Sequence, residues 1–205
     1  MLVIGRTVMP RLFVALDLPQ EIKQSLEPLS RGLGDVRWLG PEQQHLTLRF
    51  IGELDNGRMN DVIDALALIV GEPFELRLKG LGHFPPRGEP RVLWVGVERS
   101  PSLGQLKRRI DWALRQVGLA PESRKFAPHV TLARIKGPLS PTRLGTYLMR
   151  HSLYQSAPFP VSAFHLFSSW LRSDGAQYHV EASFELVPGA EELEPWEVGR
   201  YPWDA

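Results

Sequence analysis

Two short patterns in the sequence pair a histidine with a threonine two residues later. The first is His45 and Thr47, and the second is His129 and Thr131. Both lie in apolar runs typical of β-strands, where alternate side chains share a face, so each pattern presents an imidazole and a hydroxyl on one side. Histidine, with an ordinary pKa of about 6.5, can accept a proton from water in one copy and donate one in the other, while hydroxyls hydrogen-bond phosphate oxygens. These residue types predict phosphodiester chemistry with a bell-shaped pH dependence.

Two arginines near these patterns are candidates for phosphate binding. By strict alternation, Arg49 lies on the face of His45. Arg134 lies opposite the face of His129 unless a β-bulge intervenes. Either guanidinium would neutralise phosphate charge; the alternative for Arg134 is a salt bridge on the surface.

Aromatic residues supply candidates for stacking on a base. Phe13, Trp38 and Tyr178 have side chains of this kind, although core packing is favoured for Phe13. No metal site and no cofactor are predicted, because the remaining histidines lack partners at metal-ligand spacing. These remaining histidines are expected to be structural or solvated, and they are His83, His151, His165 and His179.

The elements that must position the two patterns occur twice along the chain. Each half is predicted to contain an opening strand, a helix, the His-x-Thr strand, a second helix and a closing strand. The predicted fold class is α+β: a bilobal, pseudo-twofold duplicated fold in which each lobe is an antiparallel or mixed sheet packed with helices. The active-site cleft is expected between the lobes. The predicted ranges are 11–17, 20–33, 45–50, 57–70 and 74–81, then 91–97, 102–117, 129–134, 141–151 and 159–167, with a last strand at 178–186.

The whole chain, 1–205, is interpreted as a single domain of two lobes. The repeat halves run from about 11 to 90 and from 91 to 186, and an irregular tail is expected over 187–205. A second methionine, Met9, precedes the first strand, so the protein is expected to start at either Met1 or Met9.

Composition narrows the class of protein but not its activity. The 205 residues contain 24 Lys and Arg against 23 Asp and Glu, a formal net charge of +1, so a nucleic-acid-binding surface would have to be local. There is no cysteine, which is compatible with a reducing compartment. No apolar stretch is long enough to cross a bilayer. We therefore expect a cytoplasmic monomer without membrane association.

Four segments of the sequence together resemble a known superfamily. They read RLFVALDLP at 11–19, HLTLRFIGE at 45–53, RVLWVGV at 91–97 and APHVTLAR at 127–134. The chain is similar to the two-histidine (2H) phosphoesterases, specifically to the RNA 2′,3′-cyclic phosphodiesterase branch, also called the 2′-5′ RNA ligase family. The resemblance extends from about residue 11 to 186.

That resemblance implies specific roles for the residues above. A terminal 2′,3′-cyclic phosphate of RNA would be hydrolysed to a 2′-phosphomonoester without metal. His45 would be the proton donor and His129 the proton acceptor, with Thr47 and Thr131 holding the phosphate. Expected substrates are RNAs with 2′,3′-cyclic phosphate ends, with tRNA fragments and cyclic nucleotides as further candidates.

Two other interpretations use the same residues. A 2′-5′ RNA ligase acting on tRNA halves, or a hydrolase of another 2′-linked nucleotide, would use the same histidines, because ring opening run backwards is ligation. A non-catalytic module that binds RNA or a nucleotide would need only the fold. Both motifs are intact, which disfavours the non-catalytic alternative.

Overall fold

The structure, a computed structural model, describes residues 9–34, 36–172 and 175–187. Within these residues, strands and helices alternate in the duplicated order predicted from the sequence. The helices are α1 (Gln20–Leu26), α2 (Asn56–Ala67), α3 (Pro101–Gln116) and α4 (Pro141–Arg150). The strands are β1 (Arg11–Asp17), β2 (Val36–Trp38), β3 (His45–Glu53), β4 (Phe74–Leu76), β5 (Leu78–Phe84), β6 (Val92–Val97), β7 (His129–Ile135), β8 (Phe159–Val161), β9 (Ala163–Arg172) and β10 (Gly175–Glu185).

One antiparallel sheet carries eight of these strands. Its order is β10-β9-β1-β3-β7-β6-β5, and β2 pairs with β7 outside this path. The centre of the sheet is weakly joined, since Leu46 of β3 and Val130 of β7 form the one residue pair recorded between these strands. The sheet therefore consists of two halves, β10-β9-β1-β3 and β7-β6-β5, that separate on either side of a single bridge.

Each half of the sheet draws strands from both halves of the sequence. Strand β5, which closes the first repeat, pairs with β6 of the second repeat. Strand β9, from the second repeat, pairs with β1 of the first. The two repeats thus exchange their closing strands.

The helices cover one face of the sheet. Their buried side chains, such as Leu26, Leu66 and Ile110, belong to one apolar cluster with Val14 and Val130 of the strands. Burying this face stabilises the fold and leaves the opposite face without helices. The predicted α+β class, with helices on one face, is confirmed.

Helix ends follow local sequence signals. Asp55, Ser100 and Ser140 cap α2, α3 and α4 by accepting a hydrogen bond from a backbone N–H in the first turn. The sequence pattern predicted that α3 begins at residue 102, but Pro101 can occupy the first helical position because its missing N–H is not needed there. The helix therefore begins one residue earlier.

Three other sequence predictions are corrected by the structure. The first helix ends at Leu26 instead of residue 33, because Pro28 has no N–H for a helical hydrogen bond, and a 3₁₀ turn follows. The strands expected at 74–81 and 159–167 are each divided, and their first parts pair with each other as β4 and β8 in a small second sheet. The short strand β2 was not predicted. The expected tail from residue 188 lies outside the described residues, as do residues 1–8.

Candidate active site

The two His-x-Thr patterns lie on the helix-free face, on either side of the bridge between β3 and β7. We call this face, which carries His45, Thr47, His129 and Thr131, the catalytic face. Leu46 and Val130 are buried on the helix side, so the residues flanking them face the other way. In the antiparallel direction of this pair, His45 lies on the same side of the bridge as Thr131, and Thr47 on the same side as His129. The two histidines are therefore diagonal to each other across the bridge, and His129 is close enough to lower the pKa of His45.

Both strands contain a β-bulge directly after the threonine. In β3, Thr47 and Arg49 pair with consecutive residues of β1, so Leu48 is the extra residue. In β7, Thr131 and Ala133 pair with consecutive residues of β6, so Leu132 is the extra residue. A bulge shifts the alternation by one position, and the residues after it therefore change face.

The bulges exchange the predicted positions of the two arginines. Arg49, expected on the catalytic face, lies on the helix side and is buried; it donates to the Ala120 carbonyl and lies 3.8 Å from Asp111 and 3.7 Å from Glu122. The prediction for Arg49 is therefore wrong. Arg134 lies on the catalytic face, close enough to His129 to lower the pKa of that ring.

Backbone carbonyl groups orient both imidazole rings. Nδ1 of His129 lies 2.7 Å from the carbonyl oxygen of Ala127, and His45 makes the corresponding contact with the backbone of Gln43. A carbonyl oxygen only accepts, so Nδ1–H of His129 must donate, and in the neutral ring Nε2 carries the free lone pair. His129 is thus held in the tautomer that can accept a proton at Nε2.

Aromatic rings surround each imidazole. The His45 ring lies 4.8 Å from Phe13 and 5.0 Å, edge-on, from Tyr178, measured between ring centroids. The His129 ring lies 4.9 Å, edge-on, from Phe84. These contacts remove both imidazoles from water, which disfavours their charged form.

Burial lowers the pKa of both histidines. The pKa of His45 falls to about 4, mainly through burial, while the nearby Asp17 carboxylate and the Gln43 backbone oppose the change. Burial also lowers the pKa of His129, the Ala127 carbonyl opposes this, and the Arg134 guanidinium lowers it further. Both rings are therefore neutral at pH 7 in the free protein.

The charged groups next to the two rings differ. Asp17 pairs with His45 across β1 and β3, and its negative charge favours a protonated ring, whereas Lys23, 2.7 Å from Asp17, opposes this with a smaller effect. At the equivalent place on β6, Gly96 pairs with His129. A Cβ on Gly96 would lie 2.9 Å from the Lys79 carbonyl oxygen, so no side chain fits there. A carboxylate can accompany only the first histidine.

The three aromatic residues predicted to stack on a base differ in their distance from the histidines and in their exposure. Tyr178 is partly buried and reaches the site through its contact with His45. Phe13 is 3% exposed and packs in a small cluster beneath that ring, so it supports His45 and has little surface for a base. Trp38 packs toward the helix-side core near Tyr147, on the face opposite the two histidines, and this position does not support its stacking on a base beside them.

Sequence reasoning missed three residues on this face. Asp17 was counted only as the end of a strand. Phe50, on the catalytic face because of the bulge, is 64% exposed. Arg37 lies in β2, which is too short for an alternation pattern to be seen. Within the described ranges, no group of three or more His, Cys, Asp or Glu residues could hold a metal ion.

Comparisons of the sequence with known proteins show which family this chain belongs to. The LigT-like phosphoesterase model matches residues 16–94 and again 95–178, the two predicted repeats. An RNA 2′,3′-cyclic phosphodiesterase of Thermotoga maritima is 33% identical over 189 residues, 85% of this chain and 96% of that protein. Another, from Geobacillus stearothermophilus, is 37% identical over 60% of this chain but only 41% of its own longer sequence.

The part of the chain that the structure describes contains no helix long and apolar enough to cross a membrane.

A solved structure shares the fold. The crystal structure of TT0787 of Thermus thermophilus has a TM-score of 0.73 and 28% identity, covering 86% of this chain and 97% of that one. Together with the family match, this similarity confirms the family resemblance expected from the paired motifs, and with it the prediction of an enzyme of the phosphoesterase class. This chain belongs to the LigT-like family of 2H phosphoesterases.

Proposed function

We propose that the protein hydrolyses the terminal 2′,3′-cyclic phosphate of RNA to a 2′-phosphomonoester. The observation that carries the proposal is the presence of two His–Thr pairs on one face, joined at a single bridge. Relatives that match most of the chain are named RNA 2′,3′-cyclic phosphodiesterases, which supports this substrate class.

In the proposed reaction, His129 is the proton acceptor and His45 the proton donor. Water attacks phosphorus and loses a proton to Nε2 of His129, the bond from phosphorus to O3′ breaks, and His45 gives its proton to O3′. The 2′-phosphate remains, and solvent returns the two rings to their starting states. Thr47 and Thr131 hold the non-bridging oxygens, and Arg134 balances the negative charge that develops on them.

The neighbouring charges support this direction of proton transfer. Asp17 favours the protonated form of His45, whereas Arg134 favours the neutral form of His129. His45 is neutral at pH 7 in the free protein, so its proton must be taken up together with the substrate. An anionic phosphate beside the buried ring raises its pKa and makes this uptake favourable.

The test is product analysis with a 2′,3′-cyclic mononucleotide and with a short RNA ending in a cyclic phosphate, each with and without EDTA. We expect 2′-phosphate in all four reactions. A 3′-phosphate product, or activity lost with EDTA and restored by a divalent cation, would contradict the proposal. The same protein incubated with cleaved tRNA halves distinguishes hydrolysis from ligation, since a ligase would yield joined RNA.

The expected cellular setting forms part of the proposal. We place the protein in the cytoplasm as a monomer. Cell fractionation tests the location, and size-exclusion chromatography with light scattering tests the oligomeric state. A mass near twice 23.2 kDa would contradict the monomer.

A further inference from the structure

Arg37 and Arg134 occupy directly opposite positions on neighbouring strands. They are register partners in the antiparallel pair of β2 and β7. The next pair along, Trp38 and Ala133, packs toward the helix-side core, so the two arginines project from the opposite, catalytic face. Two guanidinium groups that share one cross-strand position make a doubly charged, multiply donating surface suited to phosphate.

This pair lies at one end of the row of functional side chains on β7, which runs from His129 through Thr131 to Arg134 on the catalytic face. Along one edge, β7 pairs first with β3 at Val130 and then, from Ala133 to Ile135, with β2. The arginines therefore lie beyond the threonines, where β3 has already separated from β7. They share a face with the two histidines and lie on the far side of Thr131 from the bridge.

Tyr178, on β10 in the other half of the sheet, lies near the arginine pair. We call this region, formed by Arg37, Arg134 and Tyr178, the corner. Gln43, in the turn between β2 and β3, donates from Nε2 to the Ala176 carbonyl at 2.7 Å, which ties this turn to the start of β10. Burial raises the pKa of Tyr178, and both Arg134 and Arg37 oppose the increase, as expected if both guanidinium groups lie near the phenol. Tyr178 also contacts the ring of His45. The corner thus joins the arginine pair to the catalytic centre.

We propose that Arg37 forms a second phosphate subsite, which binds the 5′-phosphate of the nucleotide that carries the cyclic phosphate, while its register partner Arg134 faces the reacting phosphate. This proposal rests on the proposed function and deepens it, because in RNA that 5′-phosphate is the last internucleotide linkage. The histidines and threonines already surround the reacting phosphate, and the next anion along the chain is one nucleoside away. The subsite would favour RNA ends over cyclic mononucleotides that lack a 5′-phosphate.

The experiment compares two small substrates that differ only in this group: adenosine 2′,3′-cyclic phosphate with a 5′-hydroxyl, and the same molecule with a 5′-phosphate. In the unmodified protein, the 5′-phosphate is expected to raise kcat/KM by about tenfold or more, the contribution of a charged hydrogen bond. Arg37→Gln should bring the ratio of the two kcat/KM values close to one, and Arg37→Lys should retain part of it. The advantage should also shrink as salt is added.

Arg143→Gln is the matched control, because Arg143 is exposed on α4, on the helix side of the sheet. It should leave the ratio unchanged. A ratio near one in the unmodified protein would overturn the subsite, and so would Arg37→Gln lowering both kcat/KM values equally. Failure to open either cyclic phosphate would instead reject the proposed function itself. Thermal melting confirms that each variant is folded before its ratio is interpreted.

Discussion

The two His-x-Thr strands have the same backbone and different neighbours. Both begin at the histidine, both bulge directly after the threonine, and both bury the bulged leucine. The residues that follow differ: β3 continues with Arg49 and Phe50, and β7 with Ala133 and Arg134. The same backbone arrangement therefore carries two chemically different parts of the site, one on β3 and one on β7, which we call half-sites.

These differences separate the functions of equivalent positions. On the helix side, Arg49 is buried near two carboxylates, whereas Ala133 fills the same place with a methyl group. On the catalytic face, exposed Phe50 is matched by charged Arg134. The comparison indicates that the duplicated backbone fixes where equivalent side chains stand, while the residues at those positions give each strand its own charge and burial.

The largest expected effect comes from the histidines themselves. His45→Ala and His129→Ala should each lower kcat by about 10²–10⁴-fold, because each removes one proton transfer. Single-turnover kinetics with a cyclic-phosphate substrate measures this. The control is His179→Ala, an exposed histidine on β10, which should retain activity. Normal turnover in either catalytic variant would contradict its role.

Arg49 should affect stability more than chemistry. Arg49→Met removes a buried cation from Asp111 and Glu122, and because Lys107 still pairs with Asp111 and Glu122 is exposed, it is expected to lower the free energy of unfolding by about 1–2 kcal/mol. Urea unfolding measures the change. The folded variant should keep its kcat, since Arg49 faces away from the histidines. A folded variant with full stability and greatly reduced kcat would reverse this interpretation and return Arg49 to the site.

The threonines test whether the half-sites share the phosphate equally. Thr47→Val and Thr131→Val keep the side-chain shape and remove a hydroxyl, so each should lower kcat/KM by about tenfold. Thr142→Val, at an exposed position on α4, is the control. A loss confined to one of the two catalytic threonines would mean that a single half-site holds the phosphate.

The smallest expected effect is on pH dependence. Burial lowers the pKa of both histidines, so the plot of kcat/KM against pH should be a bell with its maximum below pH 6.5. Its acid limb reports His45, with a pKa of about 4. Asp17→Asn removes the charge that raises this pKa, so the acid limb should move to lower pH.

The height of that bell tests the direction of proton transfer. If His45 is the donor, the reactive form of the protein has His45 protonated and His129 neutral. Lowering the pKa of His45 then reduces the fraction of protein in this form several-fold. If His45 is instead the acceptor, Asp17→Asn shifts the limb without lowering the maximum. Rate measurements from about pH 3.5 to about pH 8, on protein whose fold is checked at each pH, distinguish the two cases.

The positions of the proposed catalytic residues were predictable because they depend on short-range alternation. The faces of His45 and His129 follow from the apolar residues beside them. Arg49 and Arg134 could not be assigned by the same rule, because a bulge inserts one residue without any change in composition. The sequence could not reveal Arg37 either, since its placement depends on pairing with a strand almost a hundred residues away.

The fold was predictable to the same extent. The repeat and its elements could be predicted from apolar periodicity and capping residues. The partner of each closing strand could not, because the alternation in Leu78–Phe84 is the same whichever strand lies beside it. Pairing of this kind is set by the whole sheet and by packing against the helices.

The exchanged closing strands bear on how such a protein can be divided. A cut between residues 90 and 91 would separate β5 from β6 and β1 from β9, so each fragment would carry unpaired strand edges and one of the two His-x-Thr motifs. Mixed together, the fragments have complementary edges that can bring the two motifs back onto one face. The same logic gives a route by which a single ancestral repeat could have worked as a pair of identical chains before fusion joined them.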